Sequence, residues 1–275
     1  MKNISIIIPT FNEEINLPFC LDSLKSMDAD VFIVDSGSVD KTVPIAQNAG
    51  CQVVFHEFQN QAKQINWALN HLAIKTPWVM RLDADERLTP ALVEELKMIL
   101  SRTADNINGF ELKRRVYFMG QWIRHGGYYP TWLLRVWRNG AAFCEDRWMD
   151  EHMVLTNGQI EKLTGDIIDE NRKGLNFFLQ KHISFADREV QDINSSDPSE
   201  GNLNLQAGTK RWLKKGLYLR LPLFFRCFFY WLYRYFILLG FLDGKEGLVF
   251  HFLQGFWYRF LIDAKLFEMK KKGTK

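Results

Sequence analysis

The length, composition and charge of the chain narrow its class before any motif is considered. It has 275 residues, of which 47% are hydrophobic and 24% charged. These values are typical of a globular protein with one large domain, or with one domain and an extension. The net charge of +3 is unevenly spread, because residues 211–275 carry 13 Lys and Arg against 4 Asp and Glu. A basic end on an acidic body predicts an anionic partner, either a membrane surface or a nucleic acid.

The cysteines and the first residues exclude two further classes. The four cysteines are widely scattered, without the spacing of a zinc site or of a disulfide-rich secreted domain. The apolar run Ile4–Ile8 is too short for a signal peptide, and Pro9 ends it. We therefore expect reduced thiols and a cytoplasmic protein.

Short β-type runs alternate with helical ones over roughly the first 100 residues, which predicts an α/β fold with a mostly parallel, doubly wound sheet. We expect helices on both faces of this Rossmann-like sheet. In chain order the predicted elements are a strand at 5–8, a helix at 15–26, a strand at 31–34, a helix at 42–49, a strand at 52–55, a helix at 61–72, a strand at 78–82 and a helix from Pro90 to Leu100.

The pattern changes after residue 105. Aromatic and polar segments alternate from Gly109 to Leu163, and Trp132–Trp137 is the clearest strand among them. Residues 192–204 are rich in Ser, Asn, Asp and Gly, which predicts a boundary. We therefore predict a domain over residues 1–205, with halves at 1–105 and 106–205, and a helical extension at 206–275.

The extension is rich in aromatic residues and arginines. Residues 212–260 hold 18 of the chain's 39 aromatic residues, and no window of about 20 residues is free of charge, so a membrane-spanning helix is not expected. Arg226, Tyr230 and Arg234 share one helical face, and Phe228 and Phe229 lie on others. This predicts an amphipathic segment in a membrane interface, with basic residues at the headgroups and aromatic residues below. The alternative is a helical cap whose aromatic residues pack on the sheet.

Two carboxylates follow the strand at 78–82. Asp83 and Asp85 are one residue apart, and side chains at i and i+2 of an extended chain point the same way. Paired carboxylates suit a hard divalent cation such as Mg²⁺ or Mn²⁺, which prefers oxygen ligands and often binds substrate phosphates. Asp is also common in turns after strands, so the pair alone does not establish a metal site.

The segments after the first two strands offer groups that can bind a nucleotide. The run Pro9–Glu14 can bond a base and ribose, although a turn with a helix cap would have the same sequence. Asp35 can accept from a ring N–H of a base, and Gly37 allows a close backbone approach. The glycine motifs of Rossmann dehydrogenases and P-loop enzymes are missing after every predicted strand, which disfavours both classes. Three polar clusters at one sheet edge favour a site for a nucleotide and a metal.

The order and spacing of these motifs resemble family 2 glycosyltransferases of the GT-A fold. The residues that carry the resemblance are Ile6–Glu14, Val34–Asp40, Leu82–Leu88, Ile123–Pro130, Leu134–Arg135, Asp150–His152 and Gly240–Leu248. The closest resemblance is to the bacterial branch that builds lipopolysaccharide cores, capsules and exopolysaccharides. It implies a metal-dependent inverting enzyme that moves a sugar from a nucleotide-diphospho-sugar, with uracil as the favoured base, to a lipid-linked or polysaccharide acceptor.

The resemblance also implies a role for each site residue. Residues 1–105 would hold the nucleotide-sugar and residues 106–205 the acceptor. The residues expected to bind the donor are Pro9, Thr10, Asn12, Glu13, Asp35, Gly37, Lys63, Asp83 and Arg135. Asp35 would read the base, Asp83 would face the ribose and donor sugar, and Asp85, with Asp83 beside it, would bind the cation on the diphosphate. For Arg135 the alternative is a strand arginine paired with a carboxylate.

The acceptor hydroxyl must lose its proton as it attacks, which requires a positioned carboxylate. The resemblance places this base in the region of Asp150 and Glu151, where the family often has Glu followed by Asp; here the order is reversed, and His152 follows. We favour Glu151 as the base, with Asp150 as the alternative. His152 is either a third metal ligand or a residue that bridges the loop.

Two other functions stay open at this point. A polyprenyl-phosphate glycosyltransferase would use a lipid phosphate as its nucleophile and would need little general base. A non-catalytic nucleotide-sugar-binding scaffold of a polysaccharide assembly complex is the second, and the intact acidic residues argue against it. The partners we expect are a nucleotide-diphospho-sugar, a lipid-linked saccharide and an anionic membrane surface, bound peripherally at the inner face of the cell membrane. We expect no nucleic acid.

Overall fold

The structure, a computed structural model, describes residues 2–147, 151–194 and 218–273. The chain divides into two compact units. Unit 1 comprises Met1–Arg115, Thr131–Arg147 and Glu151–Arg172, and unit 2 comprises Val116–Pro130, Trp148–Asp150 and Lys173–Lys275. The predicted division at residue 205 lies outside the described residues and stays a prediction.

Unit 1 contains a mixed sheet with helices between its first strands. Its strands are β1 (Ile4–Thr10), β2 (Ala29–Asp35), β3 (Gln52–Phe55), β4 (Trp78–Arg81), β5 (Glu86–Leu88), β6 (Ile107–Phe118, whose last three residues belong to unit 2), β8 (Thr131–Arg138), β9 (Ala142–Cys144), β10 (Met153–Leu155) and β11 (Gln159–Asp169), with β7 described below. Its helices are α1 (Leu17–Leu24), α2 (Thr42–Asn48), α3 (Gln61–His71) and α4 (Pro90–Ile99).

The strand order places the three polar clusters at one edge of the sheet. The order is β3-β2-β1-β4-β8-β6-β11-β5, and β9 and β10 form a separate two-stranded sheet. Strands β1 to β4 are parallel to one another where they pair, whereas β8 runs antiparallel to β4 and β6. Because β1, β2 and β4 run in the same direction, their carboxyl ends meet at the same edge. The predicted α/β sheet with flanking helices is confirmed, and its antiparallel half contains β5, β6, β7, β8 and β11.

Alternate residues of the central strands pack on opposite faces of the sheet. Ile6 and Ile8 of β1 belong to one hydrophobic core and Ile7 to the other. Met80 and Val79 of β4 are divided in the same way. A strand covered on both faces has a continuous run of apolar residues, which is why these strands could be predicted from the sequence.

Helix starts follow the local sequence as expected. Asn60 accepts a hydrogen bond from Lys63 N at the start of α3, and Thr89 accepts one from Leu92 N at the start of α4. Pro90 occupies the first turn of α4, where its missing N–H costs no intrahelical bond. The predicted boundaries of these helices differ from the observed ones by one residue or less.

Unit 2 is mostly helical. Its elements are β7 (Gln121–Ile123), which pairs with the last residues of β6, α5 (Gly174–Asn194), α6 (Phe225–Leu232), α7 (Gly244–Phe250) and α8 (Tyr258–Gly273). π-Helical segments at Tyr233–Ile237 and His251–Trp257 and a short 3₁₀ turn at Gly240–Asp243 connect the last three helices. A hydrophobic core joins α5 to α8 through Ala186, Val190, Ile262 and Leu266. Within the described ranges, no helix is both long and apolar enough to cross a membrane.

The predicted placement of basic residues at the headgroups is wrong for two arginines of this segment. Arg226 Nε donates to Asp263 Oδ1 at 2.8 Å, and both side chains are buried. Arg259 Nη1 donates to Glu189 Oε1 at 2.8 Å, and Glu189 is buried as well. Each arginine turns inward because a buried carboxylate needs a positive partner, and helical periodicity does not reveal where that carboxylate lies.

Replacing the central residue of β1 tests the double-sided core. Ile7 is fully buried, so we expect Ile7→Ala to lower the free energy of unfolding by about 2–5 kcal/mol through lost burial and the cavity left behind. Val39→Ala is the matched control, because Val39 is 91% exposed and should change stability by less than about 0.5 kcal/mol. Urea unfolding followed by tryptophan fluorescence measures both. Equal effects of the two substitutions would contradict the assigned core.

Candidate active site

The two carboxylates lie in the loop that follows β4. Asp83 and Asp85 are partly exposed, whereas Leu82 and Ala84 are buried. Leu82 N donates to the Ile7 carbonyl at 3.1 Å, so the chain is still extended beside β1 as it enters the loop. It then turns at Ala84 and Asp85, where Glu86 N donates to the Asp83 carbonyl at 2.9 Å. The common orientation expected from an extended chain stays a prediction.

Two buried arginines hold Asp83. Arg81 Nε lies 3.2 Å from Oδ1, and Arg135 Nη2 lies 3.3 Å from Oδ2. Burial alone would raise the pKa of Asp83, but the charges and hydrogen bonds of Arg81 and Arg135 hold it well below its usual range. Asp83 is therefore an anion at any pH at which the protein would work. Arg135 is thus a strand arginine paired with a carboxylate, which was the alternative considered for it. Its contact with a donor stays a prediction.

Glu86 is a site residue that the sequence analysis missed. Its Oε1 accepts from Arg135 Nη2 at 2.5 Å, and its Oε2 accepts from the backbone N–H of Asp83 at 3.0 Å. Burial raises the pKa of Glu86 to about 7, with the charge of Asp83 adding to the effect and Arg135 opposing it. Glu86 thus fixes both the arginine and the loop that carries Asp83. Its position three residues after Asp83 was the available signal.

Asp85 is anchored by the residues that follow β11. Asn171 Nδ2 donates to Asp85 Oδ2 at 3.0 Å, and the Asp85 carbonyl accepts from Glu170 N at 2.9 Å. No group of three or more His, Cys, Asp or Glu side chains that could hold a metal occurs in the described parts of the chain. The predicted cation site therefore rests on Asp83 and Asp85 alone, and it stays a prediction. That donor set fits a hard cation whose other ligands are phosphate oxygens and water.

The loop after β2 is organised by the carboxylate of Asp35. Its Oδ1 accepts from the backbone N–H groups of Gly37 and Ser38 at 3.0 and 2.8 Å. Its Oδ2 accepts from the hydroxyls of Thr10 and Ser38 at 2.8 and 2.5 Å. A carboxylate offers about four acceptor positions, so these bonds use its capacity. A base read by Asp35, as predicted, would have to replace one of these donors.

The loops after β1 and β2 are bonded into one surface. Asn12 N donates to Ser38 Oγ at 2.8 Å, and Val39 N donates to Asn12 Oδ1 at 2.9 Å. Glu13 N donates to Thr42 Oγ1 at 2.6 Å. The predicted nucleotide-binding residues of the two loops are thus brought together. Asn12 has a φ of 55°, a left-handed conformation that asparagine tolerates better than most residues.

The remaining predicted donor residues lie at the borders of this surface. Pro9 pairs with Val34 in the sheet and is partly exposed, and Gly37 is exposed with a φ of 89°. A Cβ at Gly37 would come 3.6 Å from the Phe55 ring, so the loop passes close to the end of β3. Lys63 is exposed in the first turn of α3. No contact joins these three residues directly to Asp83, and their roles stay predictions.

One of the two candidate bases is described. Glu151 Oε1 lies 3.4 Å from Arg81 Nη2, and its side chain is 18% exposed. Arg81 therefore joins Glu151 to Asp83 in one charge network. Asp150 lies outside the described residues. His152 Nδ1 lies 3.6 Å from the buried Glu145, which favours its loop-bridging alternative.

The structure adds a second acidic pair to this region. Glu145 is buried and its Oε1 accepts from His152 N at 3.1 Å, and Asp146 is exposed and accepts from Asn60 Nδ2 at 3.1 Å. These two residues have the order Glu-Asp that the family often has in the region of the base. They precede Asp150 and Glu151 by five residues. The sequence analysis did not consider them.

Unit 2 contains a separate buried ionic cluster around Asp243. The carboxylate accepts from the backbone N–H groups of Arg124 and His125, at 3.1 and 3.0 Å, and bonds His125 Nδ1 at 2.6 Å. Its Oδ2 also lies 3.3 Å from Nε2 of the buried His251. A Cβ on Gly126 would come 2.2 Å from the His251 ring, so only glycine fits there. Asp243 thereby ties the 124–127 segment to residues more than one hundred positions later.

A comparison with protein families identifies the first half of the chain. The family described as glycosyl transferase family 2 matches residues 5–145, which is just over half of the sequence. The match includes β1 to β9 and therefore the three clusters at the sheet edge and the Glu145 region.

Individual relatives agree with this match. An uncharacterized glycosyltransferase of Rickettsia typhi is 24% identical over 99% of this chain and 89% of its own length. The lipopolysaccharide core biosynthesis glycosyltransferase LpsC of Rhizobium meliloti is 37% identical over 42% of this chain and 44% of its own length. Other matches to Rickettsia glycosyltransferases likewise span less than half of those proteins.

A solved structure supports the fold over the whole chain. Residues 1–349 of S. aureus TarS, determined in complex with UDP-GlcNAc, superpose with a TM-score of 0.51 at 13% identity. The superposition covers 98% of this chain and 92% of that structure. At this level of identity the likeness concerns the fold alone, which is the GT-A fold.

A double-mutant cycle tests the buried pair of Arg135 and Glu86. Arg135→Met removes the charge that opposes the raised pKa of Glu86, so Glu86 becomes protonated and loses its hydrogen bond from the arginine; we expect a loss of about 1–3 kcal/mol in the free energy of unfolding. Adding Glu86→Leu should restore part of this loss, because the double variant has no buried carboxyl without its arginine at position 86. Urea unfolding of the two single variants and the double variant measures the coupling. Additive losses would show that the two side chains are independent.

The cluster around Asp243 predicts a pH dependence. Burial alone would raise the pKa of Asp243, but hydrogen bonds from His251, His125 and the backbone hold it below its usual range. The folded state therefore gains stability from the carboxylate above the unfolded pKa of about 3.9 and loses it as the pH falls through the folded value. Relative to Asp243→Asn, the native chain should be more stable by about 2 kcal/mol at neutral pH. Thermal unfolding at several pH values should show this difference shrinking below about pH 4; a constant difference would contradict the prediction.

Proposed function

This chain belongs to glycosyl transferase family 2, and from that membership we propose that it transfers a sugar from a nucleotide-diphospho-sugar to a lipid-linked or polysaccharide acceptor. The observation that carries the proposal is the Asp83 and Asp85 pair, fixed at the carboxyl end of β4 beside the bonded loops of β1 and β2. These three strand ends supply a base and ribose surface next to a diphosphate site. UDP is the nucleotide that we favour.

The donor is proposed to lie across the carboxyl ends of β2, β1 and β4. The nucleoside would contact Pro9, Thr10, Asn12 and Glu13, with the Asp35 loop at the base. The diphosphate would then reach Asp83 and Asp85, and Lys63 at the exposed start of α3 would add a positive charge near the sugar. The rigidity of the two bonded loops supports this arrangement, because a preformed surface costs less entropy on binding.

Asp85 and Asp83 would hold a divalent cation, Mg²⁺ or Mn²⁺. When bound, such an ion acts as a Lewis acid that neutralises the charge developing on the leaving diphosphate. The chain's own part is to keep both carboxylates ionised and in place. Arg81 and Arg135 do this for Asp83, and Asn171 orients Asp85.

Transfer by a single displacement would invert the anomeric carbon. The acceptor oxygen forms a bond to that carbon, the bond to the diphosphate oxygen breaks, and the hydroxyl proton passes to a carboxylate. We propose Glu151 as this base, with Asp150 as the alternative. Glu151 is supported by its partial exposure and by Arg81, which keeps it beside the network that holds Asp83.

The acceptor and the place of action are inferred from the relatives and from the extension. The Rhizobium meliloti relative is a lipopolysaccharide core biosynthesis enzyme, and lipid-linked acceptors of that class lie in a bilayer. We therefore propose a peripheral location at the cytoplasmic face of the cell membrane. The exposed Lys270, Lys271 and Lys272 at the end of α8 support attraction to anionic lipids.

Removing one metal ligand tests the reaction. With a panel of nucleotide sugars, Mn²⁺ or Mg²⁺ and membrane extract of the source cell, mass spectrometry should detect one sugar transferred. Asp85→Ala should lower the rate by about 10²–10³-fold, because the lost charge stabilisation is worth several kcal/mol. Asp105→Ala is the control, since the Asp105 side chain is fully exposed. If both variants and the native chain are equally inactive across the panel, the enzyme is not of the proposed kind.

Isosteric replacement of the candidate bases tests the proton transfer. Glu151→Gln should lower kcat by about 10²–10⁴-fold while donor affinity is kept, because the amide cannot accept the proton. Asp150→Asn should be close to native if Glu151 is the base. Steady-state kinetics and calorimetric titration with the nucleotide distinguish the two effects. Full activity of both variants would instead indicate a nucleophile that needs no base, such as a lipid phosphate.

A further inference from the structure

Unit 2 exposes a set of phenylalanine rings on its last helices. Among the described residues, more than half of the exposed large apolar side chains lie between residues 221 and 269. We define the aromatic surface as six exposed phenylalanine rings of α6, of the two π-helical segments and of α8 that are connected by ring contacts. Its residues are Phe228, Phe229, Phe236, Phe252, Phe260 and Phe267, each of which is between 43% and 58% exposed except Phe260 at 40%.

The rings of the aromatic surface are connected. Trp231 contacts Phe228, Phe236 and Phe252, with ring centroids 6.2 to 6.5 Å apart. From Phe252 the ring contacts continue along the chain to α8. The links of this second part are Phe252 to Phe256 at 5.5 Å, Phe256 to Phe260 at 5.8 Å, Phe260 to Phe224 at 5.0 Å and Phe224 to Phe267 at 5.9 Å. The exposed rings therefore form one continuous apolar patch, which a monomeric soluble protein rarely leaves uncovered.

Three arginines of the same segment do not belong to this surface, whereas Arg220 is exposed. Arg226 is 3% exposed and paired with Asp263, and Arg259 is paired with Glu189. Arg234 Nε donates to the Gly126 carbonyl at 2.6 Å. Since these side chains are bonded to groups inside unit 2, they stabilise its fold and are not available to bind an external anion.

The charges around the aromatic surface favour a bilayer over a protein partner of acidic character. The acidic residues of 218–273 are Asp243, Glu246, Asp263 and Glu268. Asp243 and Asp263 are buried, and the exposed Glu268 lies 2.7 Å from Lys272 Nζ. Lys270, Lys271 and Lys272 follow in the last turn of α8, and Lys270 and Lys271 lie three and four residues after Phe267 on its exposed side. An uncharged aromatic patch with lysines beside it complements a membrane whose headgroups carry negative charge above an apolar interior.

We propose that the aromatic surface inserts into one leaflet of a lipid bilayer, with the phenylalanine rings at the level of the upper acyl chains and the lysines of α8 at the headgroups. This inference rests on the proposed function, in which the acceptor is lipid-linked. It differs from the expectation based on helical periodicity at Arg226, Arg234 and Arg259, which bond groups inside unit 2 and leave the attachment to the aromatic rings. Binding is then only weakly sensitive to salt, since apolar burial is not screened.

Vesicle co-sedimentation of the full chain tests this surface. The native protein should bind vesicles of zwitterionic lipid, and added anionic lipid should strengthen binding by a salt-sensitive increment. Phe228→Ser with Phe229→Ser should weaken partitioning by about 100-fold, roughly tenfold for each ring kept in water. A second pair, Phe236→Ser with Phe252→Ser, guards against a local folding defect, and unchanged circular dichroism is required of both. Met98→Ser is the matched control, because Met98 is 61% exposed on α4 of unit 1.

Three outcomes overturn the proposal. Native binding that needs anionic lipid and disappears in moderate salt would assign attachment to the lysines alone. Loss of binding in Lys270→Ala with Lys271→Ala and Lys272→Ala, but not in either phenylalanine pair, would do the same. If the native protein is a dimer, and both phenylalanine pairs convert it to a monomer without changing vesicle binding, the aromatic surface would instead be the interface with a second copy of the chain.

The result is independent of the catalytic proposal. Vesicle binding is measured without a donor or an acceptor, so it can succeed where no transfer is detected. Conversely, the phenylalanine pairs should keep the native rate of donor hydrolysis in solution, because they lie outside unit 1. A fall in that rate together with normal vesicle binding would also contradict the assigned role of these rings.

Discussion

The charge network of Arg81, Asp83, Arg135 and Glu86 is the constraint on which the proposed donor site depends. Four ionisable groups are buried or nearly buried at the end of β4, where each isolated charge would cost several kcal/mol. They are tolerated because every carboxylate has an arginine within hydrogen-bond distance. The network fixes the loop after β4, extends through Arg81 to Glu151, and determines that Asp83 stays ionised. A cation site and a base can then be placed without moving the sheet.

The nucleotide-binding half of the fold could be predicted closely from the sequence. Strands such as β1 and β4 are buried on both faces, so they appear as apolar runs, and caps such as Asn60 and Thr89 mark the starts of α3 and α4. The family resemblance added the GT-A fold, and the comparisons confirmed it. The antiparallel strands after residue 105 were harder to assign, because β6 and β8 mix aromatic, basic and apolar residues that belong to several environments.

The sequence indicated the acidic residues of the predicted site, but it did not indicate the residues that hold them in place. The spacing of Asp83 and Asp85 drew attention to them, but Glu86 pairs with Arg135, 49 residues later, and a sequence does not reveal such a partner. The same limit explains Arg226: its helical face suggested the membrane headgroups, whereas it pairs inside unit 2 with Asp263, 37 residues later. Long-range charge pairing, rather than local pattern, decided each of these positions.

The bond between Asp243 and the 124–127 segment has a consequence for how the gene product can be divided. Unit 2 is assembled from residues before β8 and residues after β11, so its parts are interleaved with unit 1 along the chain. A protein shortened after residue 205 would retain His125 and Gly126 but lose the carboxylate and the His251 ring that they pack against. The aromatic end is therefore not a separable anchor. Its removal would leave the polar groups of the 124–127 segment without the carboxylate that they bond, and it would remove part of the interior of unit 2.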